Sequence, residues 1–559
     1  MFERIQKICN YLKKENDNTD IYINKEIKEK YNIYKKWLIE NGAVFDKNID
    51  FPFTYGPFHK IGCKSISDID ENEAIILMPK NLIIKSEDLQ YFEQYIKDVI
   101  DDLYEDDLPA IYLTIYLYLE KQKQNSFYKP YIDILFLQDN NNDNSIYDKW
   151  DEKKITELND EITIKSFEKI LNKTEEIYNL IKQCDKFTNF TRNEFLNCYF
   201  QVMSKKLDLN DYNNNSVLIP ILDLFYKDDS IKLRYEIYDS ENMIFKYTTF
   251  LNDINNSKKN IQITKSKYLP INKPTYNKFI PLLVDYDDVE EDSEGKEKVK
   301  KIVKINNNDY FSLVLSKNEK ISYSNIVCSN INDLCNKKIF KNKGFCLLYN
   351  RNDYLTVKFN INRGELLIDK YLEIIFGGKY QTKNDDPIYN TLKIKIEFNN
   401  ISFDLLKYYR FMHFYEVKKN VKEYFKYRFN KDSEINIINK AIDFLKNRFK
   451  IMEINYSFDA DLKDLENEIY KKDANYMRTN ILIYRVSQKI ILKNQIDLLS
   501  FILNIMIKYR KEITGYNSIF NFIDKEKYVN EYDKEEYTRM KILRFIAYMS
   551  KYIDLPYNN

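Results

Sequence analysis

Glycine and histidine are scarce in this chain, and that scarcity limits what it can fold into and catalyse. Nine glycines and two histidines occur among 559 residues. Loops that cradle phosphates depend on glycine, and zinc sites use histidine or closely spaced cysteines. The seven cysteines are scattered, without a C-x-x-C pair. We therefore expect neither a glycine-rich phosphate loop nor a metal site.

The apolar content is sufficient for more than one domain. Hydrophobic residues make up 44% of the chain and include 48 tyrosines and 35 phenylalanines. At roughly 150 residues per domain, the length favours about three or four domains, or two large ones. Lysine and arginine number 87 and aspartate and glutamate 86, so the net charge is +1. Without an overall positive field, we expect no direct binding to nucleic acid or to an anionic membrane.

Cysteine usage and the lengths of the apolar runs indicate the compartment. An odd number of scattered cysteines is typical of a reduced, intracellular protein. The amino-terminal residues lack the apolar stretch of a secretory signal. The longest apolar runs, which begin at Ile111 and Leu498, are shorter than the roughly 20 residues that cross a bilayer. We predict a cytoplasmic or nuclear location and no membrane attachment.

The hydrophobic pattern changes period along the chain. Residues 37–84 alternate short apolar runs with glycine and proline, which predicts strands and turns. Helical spacing prevails over 108–206 and again after 403. Between these regions, TLKIKIEF places four apolar residues on one face of a strand: Leu392, Ile394, Ile396 and Phe398. The fold class is therefore α+β, with a β-rich unit interrupted by helices and followed by an all-helical C-terminal domain.

Residues from about 228 to 334 form a tract with blocks of like charge. Six acidic residues between Asp285 and Asp292 are followed by five lysines between Lys296 and Lys304. Such blocks repel one another and favour a disordered insertion, with a partner-docking arm as the functional alternative. The predicted divisions are an N-terminal helical extension (1–36), a β-rich domain (37–380) with its helical insert (about 108–206) and low-complexity insertion (about 228–334), a connecting strand region (381–402) and a helical domain (403–559).

Several segments, in this order, resemble SET-domain methyltransferases of the Rubisco large-subunit lysine methyltransferase class. The similar segments are WLIENGAVF (37–45), KIGCKSISDIDENEAIILMPKNLII (60–84), SFYKPYIDIL (126–135), FQVMSKK (200–206), VLIPILD (217–223), NRGELLIDKY (362–371), YSFDADL (456–462) and YMRTNILIYRVSQKIIL (476–492). The resemblance implies a β-rich SET fold with an inserted helical subdomain, followed by a helical substrate-binding domain.

The resemblance also implies a function. The expected activity is that of a protein-lysine N-methyltransferase that uses S-adenosyl-L-methionine and acts on a folded protein substrate. Ribosomal, cytoskeletal and histone proteins are the substrate classes that it suggests, with the enzyme acting as a monomer. Histidine is the less favoured acceptor.

Tyr371 is the candidate catalytic residue. The resemblance implies that the closing SET strand lies near Leu366 to Tyr371, after the turn Gly364-Glu365, and that Tyr371 is the tyrosine of this strand. A phenol at the floor of the lysine channel can accept CH···O contacts from the methyl group and orient the amine. The family has glycine after this tyrosine, whereas this chain has Leu372, and a side chain there could crowd the cofactor.

The resemblance also suggests cofactor-binding residues. Gly62 retains one glycine of a pair that lets the backbone approach the methionine moiety. An Asn-His pair has two possible counterparts: Tyr226-Lys227, directly after VLIPILD, and the preferred Asn336-Lys337. Lys205 stands where the family commonly has an arginine that reaches the cofactor carboxylate or the substrate; a lysine keeps the charge but loses the bidentate geometry.

These departures keep a second hypothesis open. The lost glycine, Leu372, the missing histidine and a short loop after Tyr371 are also consistent with a SET pseudoenzyme that binds a protein without catalysis. A purely helical scaffold is a third and weaker reading, since it leaves the SET-like segments unexplained.

Overall fold

A computed structural model describes residues 1–16, 23–45, 48–69, 74–137, 155–208, 216–227, 233–238, 289–291, 297–299, 310–315, 328–329, 334–362, 366–377, 380–381, 389–418, 424, 427, 429–508, 528 and 530–549. The described helices are α1 Phe2–Leu12, α2 Lys25–Glu40, α3 Glu93–Ile96, α4 Leu108–Gln122, α5 Lys129–Leu137, α6 Glu161–Gln183, α7 Arg192–Lys205, α8 Asn336–Lys343, α9 Leu366–Phe376, α10 Phe403–Lys418, α11 Lys431–Glu453, α12 Phe458–Ile469, α13 Tyr476–Lys508 and α14 Glu535–Met549.

The strands are short, and most lie in the first two thirds of the chain. They are β1 Val44–Phe45, β2 Ile49–Tyr55, β3 Lys60–Ser65, β4 Ala74–Pro79, β5 Ile84–Lys85, β6 Leu207–Asp208, β7 Ser216–Leu218, β8 Tyr226–Lys227, β9 Leu233–Tyr238, β10 Val289–Glu291, β11 Glu297–Val299, β12 Tyr310–Leu315, β13 Cys328–Ser329, β14 Tyr354–Asn362, β15 Tyr380–Gln381 and β16 Tyr389–Glu397.

The largest sheet has the order β1-β4-β12-β9. Strand β12 pairs antiparallel with β4, with Leu313 opposite Ile76, and with β9 on its other side, with Ser312 opposite Glu236. The expectation that much of 228–334 lies outside the β unit is therefore wrong for residues 233–238 and 310–315. Residues 310–315 pair with the free edge of β4, and residues 233–238 pair with the other edge of 310–315, so both segments complete the sheet. Most of the intervening sequence lies outside the described residues.

The helical insert carries α4, α5, α6 and α7, within the span 108–206 predicted for it. Helix α7 begins with a capping box, in which Thr191 accepts from the backbone N–H of Glu194 and the Glu194 carboxylate accepts from that of Thr191. Such reciprocal bonds satisfy two N–H groups that have no partner within the helix. The start of α7 is thereby fixed at Thr191.

The buried side chains form two main clusters, which we call the N-terminal core and the C-terminal core. The N-terminal core draws on α2, β1 to β5, α4, α5, α7 and β7. The C-terminal core draws on α1, β14, β16 and α9 to α14. Helix α6 belongs to both, with Phe167 in the C-terminal core and Ile177 in the N-terminal one. The two units are thus joined by a continuous helix.

The predicted N-terminal extension divides between these cores. Helix α2 packs in the N-terminal core, whereas Ile5 and Ile8 of α1 are buried in the C-terminal core. After α1, the chain runs beside the β2–β3 hairpin, where the Gly56 N–H donates to the Lys14 carbonyl at 2.8 Å. We call residues 1–16 the N-terminal arm. It connects the C-terminal core to the hairpin.

The alternation predicted around Leu392 is confirmed. Strand β16 pairs antiparallel with β14, and Leu392, Ile394 and Ile396 have no exposed surface. The last third of the chain is helical, since the described residues after 397 contain no strand. The α+β class with an all-helical C-terminal domain is confirmed.

Helix α13 lies at the centre of the C-terminal core. Among the described residues it is the one helix long and apolar enough, by length and composition, to span a bilayer. Ile490, Leu492 and Leu498 on this helix are at most 2% exposed. Its apolar surface is therefore covered largely by the protein.

Candidate functional site

Strand β3 passes against the short 3-10 turn Leu222–Leu224, and we call this place the crossing. A side chain added at Gly62 of β3 would place its Cβ 2.7 Å from Cε1 of Tyr55 and 3.1 Å from the Leu224 carbonyl oxygen. The 2.7 Å separation is too short for carbon atoms, so an added Cβ would displace the Tyr55 ring of β2, and at 3.1 Å it would also press on the Leu224 carbonyl of the turn. The absence of a side chain at Gly62 thus favours the close approach of β3 to the turn.

The chain beyond the turn joins a second segment from far along the sequence. Strand β8 pairs in parallel with β13, with Tyr226 opposite Cys328 and Lys227 opposite Ser329. Cys328 and Ser329 therefore lie beside the chain that continues from the turn. Of the two candidate counterparts of the Asn-His pair, Tyr226-Lys227 is the one that continues directly from the crossing.

The turn at the crossing starts from a strained residue. Ile221 has φ +75° and ψ −32°, a region that β-branched residues avoid because the side chain collides with the backbone. Such strain costs about 1–3 kcal/mol and persists only where the surroundings impose it. The N–H of Ile221 donates to the hydroxyl oxygen of Tyr34 at 2.7 Å, in a fully buried position.

Two buried tyrosines hold this turn. The Tyr131 hydroxyl donates to Oδ2 of Asp223 at 2.8 Å, and the rings of Tyr34 and Tyr131 stack with centroids 6.2 Å apart. Burial, and then the nearby Asp223 carboxylate, raise the pKa of both phenols well above the usual value. Both hydroxyls therefore keep their protons at neutral pH.

Lysine side chains gather where α7 ends. Lys205 is half-buried at the last residue of the helix. Lys343, from α8, donates to the Ser204 carbonyl at 3.0 Å, and Lys206 donates to Oγ of Ser216 at 3.2 Å. The predicted cation at position 205 thus belongs to a positively charged surface beside the β unit.

Asn336, the first residue of α8, is fully engaged in hydrogen bonds. Its backbone N–H and its Nδ2 donate to the two carboxylate oxygens of Asp353, both at 2.9 Å. Its Nδ2 also donates to the Leu347 carbonyl at 2.7 Å, while its Oδ1 accepts from the Leu347 N–H at 2.9 Å. Lys337 donates to the Ile162 carbonyl at 3.4 Å, and burial lowers its pKa. These contacts fix the start of α8 against the C-terminal core.

Tyr371 lies on a helix, so the expectation of a closing strand at 366–371 is wrong. The apolar residues from Leu367 to Phe376 recur in pairs every four positions, the period of a helix, and α9 spans this segment. Tyr371 is half-buried against the C-terminal core, and Leu372 is completely buried in it. Gly364 and Glu365 lie outside the described residues.

The described contacts of the sequence-predicted site residues differ. Gly62 is at the crossing, and Lys205 is at the end of α7, against which α8 packs. Asn336 contacts Asp353 and Leu347, Lys337 contacts α6, and Tyr371 packs against the C-terminal core. Among the described residues, no group of three or more His, Cys, Asp or Glu side chains could hold a metal ion.

Sequence reasoning missed the tyrosines that hold the turn. Tyr31 and Tyr34 recur three residues apart on α2, both at 1% exposure, and such spacing is typical of a buried helix face. The bond from Ile221 to Tyr34 joins residues 187 apart in the sequence. Only the folded arrangement of α2 against the turn reveals it.

The fold described above is the SET fold, with a helical insert and a helical domain after it. In particular, the chain is similar in structure to the SET domain of LSMT bound to lysine and AdoHcy, at a TM-score of 0.51 and 15% identity, over 90% of this chain and 100% of that one. It is also similar to the SET domain of LSMT bound to methyl-lysine and AdoHcy, at 0.50 and 15% identity, over 90% and 97% of the two chains. No protein-family model and no curated protein matches the sequence. The SET-type architecture predicted from the sequence is confirmed.

Proposed function

We propose that this protein is an S-adenosyl-L-methionine-dependent protein-lysine N-methyltransferase. The observation that carries the proposal is the structural likeness to an LSMT SET domain bound to lysine and AdoHcy, which extends over 90% of this chain. It includes both the β unit and the helical domain. At this identity the likeness concerns the fold, so the activity rests on the site chemistry.

The crossing has features that suit such a cofactor. Gly62 keeps β3 free of a side chain where it meets the turn, and Lys205 offers a cation to the carboxylate of a methionine moiety. Asn336 and Lys337 remain the sequence-based proposal for a further contact, with Tyr226-Lys227 as the alternative that continues from the crossing. The cofactor would supply an electrophilic methyl group on a sulfonium.

Methyl transfer to lysine requires the neutral amine. A lysine pKa of about 10.4 places the neutral form about 4 kcal/mol above the ammonium at pH 7.4. A narrow channel that removes water disfavours the charged form and lowers this cost. The chain would therefore have to exclude water around the acceptor nitrogen and orient it with a hydroxyl group.

Two tyrosines are candidates for that hydroxyl. Tyr371 is the candidate from the sequence resemblance and lies on α9. Tyr323 occurs in the sequence that joins β12 to β13, outside the described residues. Since β12 belongs to the main sheet and β13 pairs with β8 at the crossing, we propose Tyr323 as the rival candidate. Comparing methyl transfer by Tyr371→Phe and Tyr323→Phe should show which hydroxyl the reaction needs.

The proposed acceptor is a lysine of a folded protein presented by the helical domain, in the cytoplasm or nucleus, with a monomeric enzyme. Ribosomal, cytoskeletal and histone proteins are the first substrates to test. Histidine is the alternative acceptor. Peptide mapping of a labelled product would identify the modified side chain.

A catalytically inactive SET-fold binding module is the second candidate. The Asn336 side chain forms its hydrogen bonds with Asp353 and Leu347, and Tyr371 packs against the C-terminal core. Tyr226-Lys227 stands where the resemblance expects an asparagine and a histidine. These observations favour a protein that has kept the fold after losing part of the cofactor pocket.

Calorimetric titration with S-adenosylhomocysteine tests the first candidate against the second. We expect saturable 1:1 binding, followed by transfer of labelled methyl groups to a protein fraction. If Tyr371 or Tyr323 supplies the catalytic hydroxyl, its substitution by Phe should abolish methyl transfer. The Kd for S-adenosylhomocysteine should stay nearly unchanged, because the hydroxyl acts on the reacting centre. A folded protein that binds no S-adenosylhomocysteine would establish the second candidate.

A further inference from the structure

Tyr34 and Tyr131 each form a hydrogen bond with the turn at the crossing or with the residue before it. The Tyr34 hydroxyl accepts from the N–H of Ile221, which precedes the turn, and Asp223 within the turn accepts from Tyr131. The Leu224 N–H bonds back to the Ile221 carbonyl at 2.9 Å. The position of the Leu224 carbonyl over Gly62 therefore depends on both tyrosines.

The strain at Ile221 shows that the turn is held in place. Without a partner for its N–H, Ile221 could relax to negative φ, and the rotation would move the turn relative to β3. Tyr34 is 1% exposed and its ring also stacks on Trp37, with centroids 6.0 Å apart. A hydroxyl fixed so rigidly can impose a backbone conformation on its partner.

We propose that Tyr34 and Tyr131 are positioning residues that set the ligand-binding geometry of the crossing through the turn Leu222–Leu224. This inference rests on the proposed function, since the ligand is taken to be an S-adenosyl compound. Neither tyrosine needs to touch that ligand. Their effect is to hold the Leu224 carbonyl and the start of β8 at a fixed distance from β3.

The test measures S-adenosylhomocysteine affinity in three single variants by calorimetry. Tyr34→Phe leaves the buried Ile221 N–H without a partner, so we expect the Kd to rise about tenfold. Tyr131→Phe should raise it by about threefold, because the half-buried Asp223 can bind water instead. Tyr178→Phe is the matched control, since its buried hydroxyl donates to the Phe190 carbonyl at 3.3 Å, within the helical insert. The control should keep the wild-type Kd.

Amide hydrogen exchange gives a second readout that general destabilisation does not mimic. Exchange of the Ile221 amide should accelerate in Tyr34→Phe at a temperature where near-UV circular dichroism shows all proteins folded. It should be unchanged in Tyr178→Phe.

The outcomes distinguish this inference from the proposed function. If the wild type binds S-adenosylhomocysteine and the folded Tyr34→Phe and Tyr131→Phe variants bind it equally well, the inference is wrong and the proposed function stands. Equal losses in Tyr178→Phe overturn it as well, because the effect would then follow stability. If Tyr34→Phe does not fold, the Kd of Tyr131→Phe for S-adenosylhomocysteine tests the inference. A folded wild type without binding overturns the proposed function and this inference together.

Discussion

The buried carboxyl of Asp353 should make the stability of this protein depend on pH. Asp353 is 3% exposed. Burial raises its pKa from 3.8 to about 7, although hydrogen bonds from Asn336 and Tyr354 oppose the rise. Between about pH 4 and pH 7 the folded protein retains this proton while the unfolded chain has released it. The contribution of Asp353 to the free energy of unfolding should therefore fall as the pH rises through this range.

The size of the effect follows from the shift. One pKa unit corresponds to about 1.4 kcal/mol, so a shift of roughly three units amounts to about 4 kcal/mol across the range. The protonated carboxyl can find an acceptor nearby. Nε2 of Gln488 lies 3.4 Å from Oδ2 of Asp353, and Oε1 of the same amide is buried without a partner. Rotation of that amide would let Oε1 accept a hydrogen bond from the protonated carboxyl.

Asp353→Asn removes the titration. The amide loses one acceptor of the network, so we expect the variant to be destabilised by about 1–3 kcal/mol at low pH. Above pH 7 the difference from the wild type should shrink or reverse, since the wild type must then hold a buried charge. Urea unfolding at half-unit intervals from pH 4.5 to 8 measures both curves.

The control is Asp464→Asn, at an exposed position of α12. Its curve should run parallel to that of the wild type. If the curve of Asp353→Asn also runs parallel to the wild type over the whole range, Asp353 is ionised throughout and the reasoning fails.

Three further predictions concern packing. Arg410 and Glu434 form a completely buried ion pair with two hydrogen bonds, at 2.6 and 2.9 Å. Arg410→Met should lower the free energy of unfolding in urea by about 3–5 kcal/mol, and adding Glu434→Leu should recover much of that loss. A double variant no more stable than Arg410→Met would contradict this prediction. Gly62→Ala should lower the unfolding free energy by about 1–3 kcal/mol through its contacts with Tyr55 and the Leu224 carbonyl, and an unchanged urea midpoint would refute the tight crossing. Gly56→Ala should release the N-terminal arm, because residue 56 has φ +67° and the new Cβ would lie 2.5 Å from a backbone oxygen of the arm. Limited proteolysis should then cut the arm faster than in the wild type, and unchanged cleavage rates would contradict the prediction.

Local sequence patterns were sufficient for the elements whose burial follows from their own period. The alternation around Leu392 gave a strand with one buried face, and the spacing over 108–206 gave the helical insert. The order of several weak segment similarities gave the SET fold. In each case neighbouring residues carry the signal, so the sequence alone contains it.

Only the tertiary structure decided how distant segments meet. Period alone favours a helix at 366–376, yet a resemblance at Tyr371 suggested a strand. The strands β9 and β12 flank the charge blocks, and their place in the sheet depends on pairing, of β12 with β4 and of β9 with β12. The strained Ile221, the Tyr34 hydroxyl that holds it and the glycine at the crossing depend on contacts between residues far apart in the chain. Hydrophobic period reports which face of an element is buried, but it carries no information about which other element covers that face.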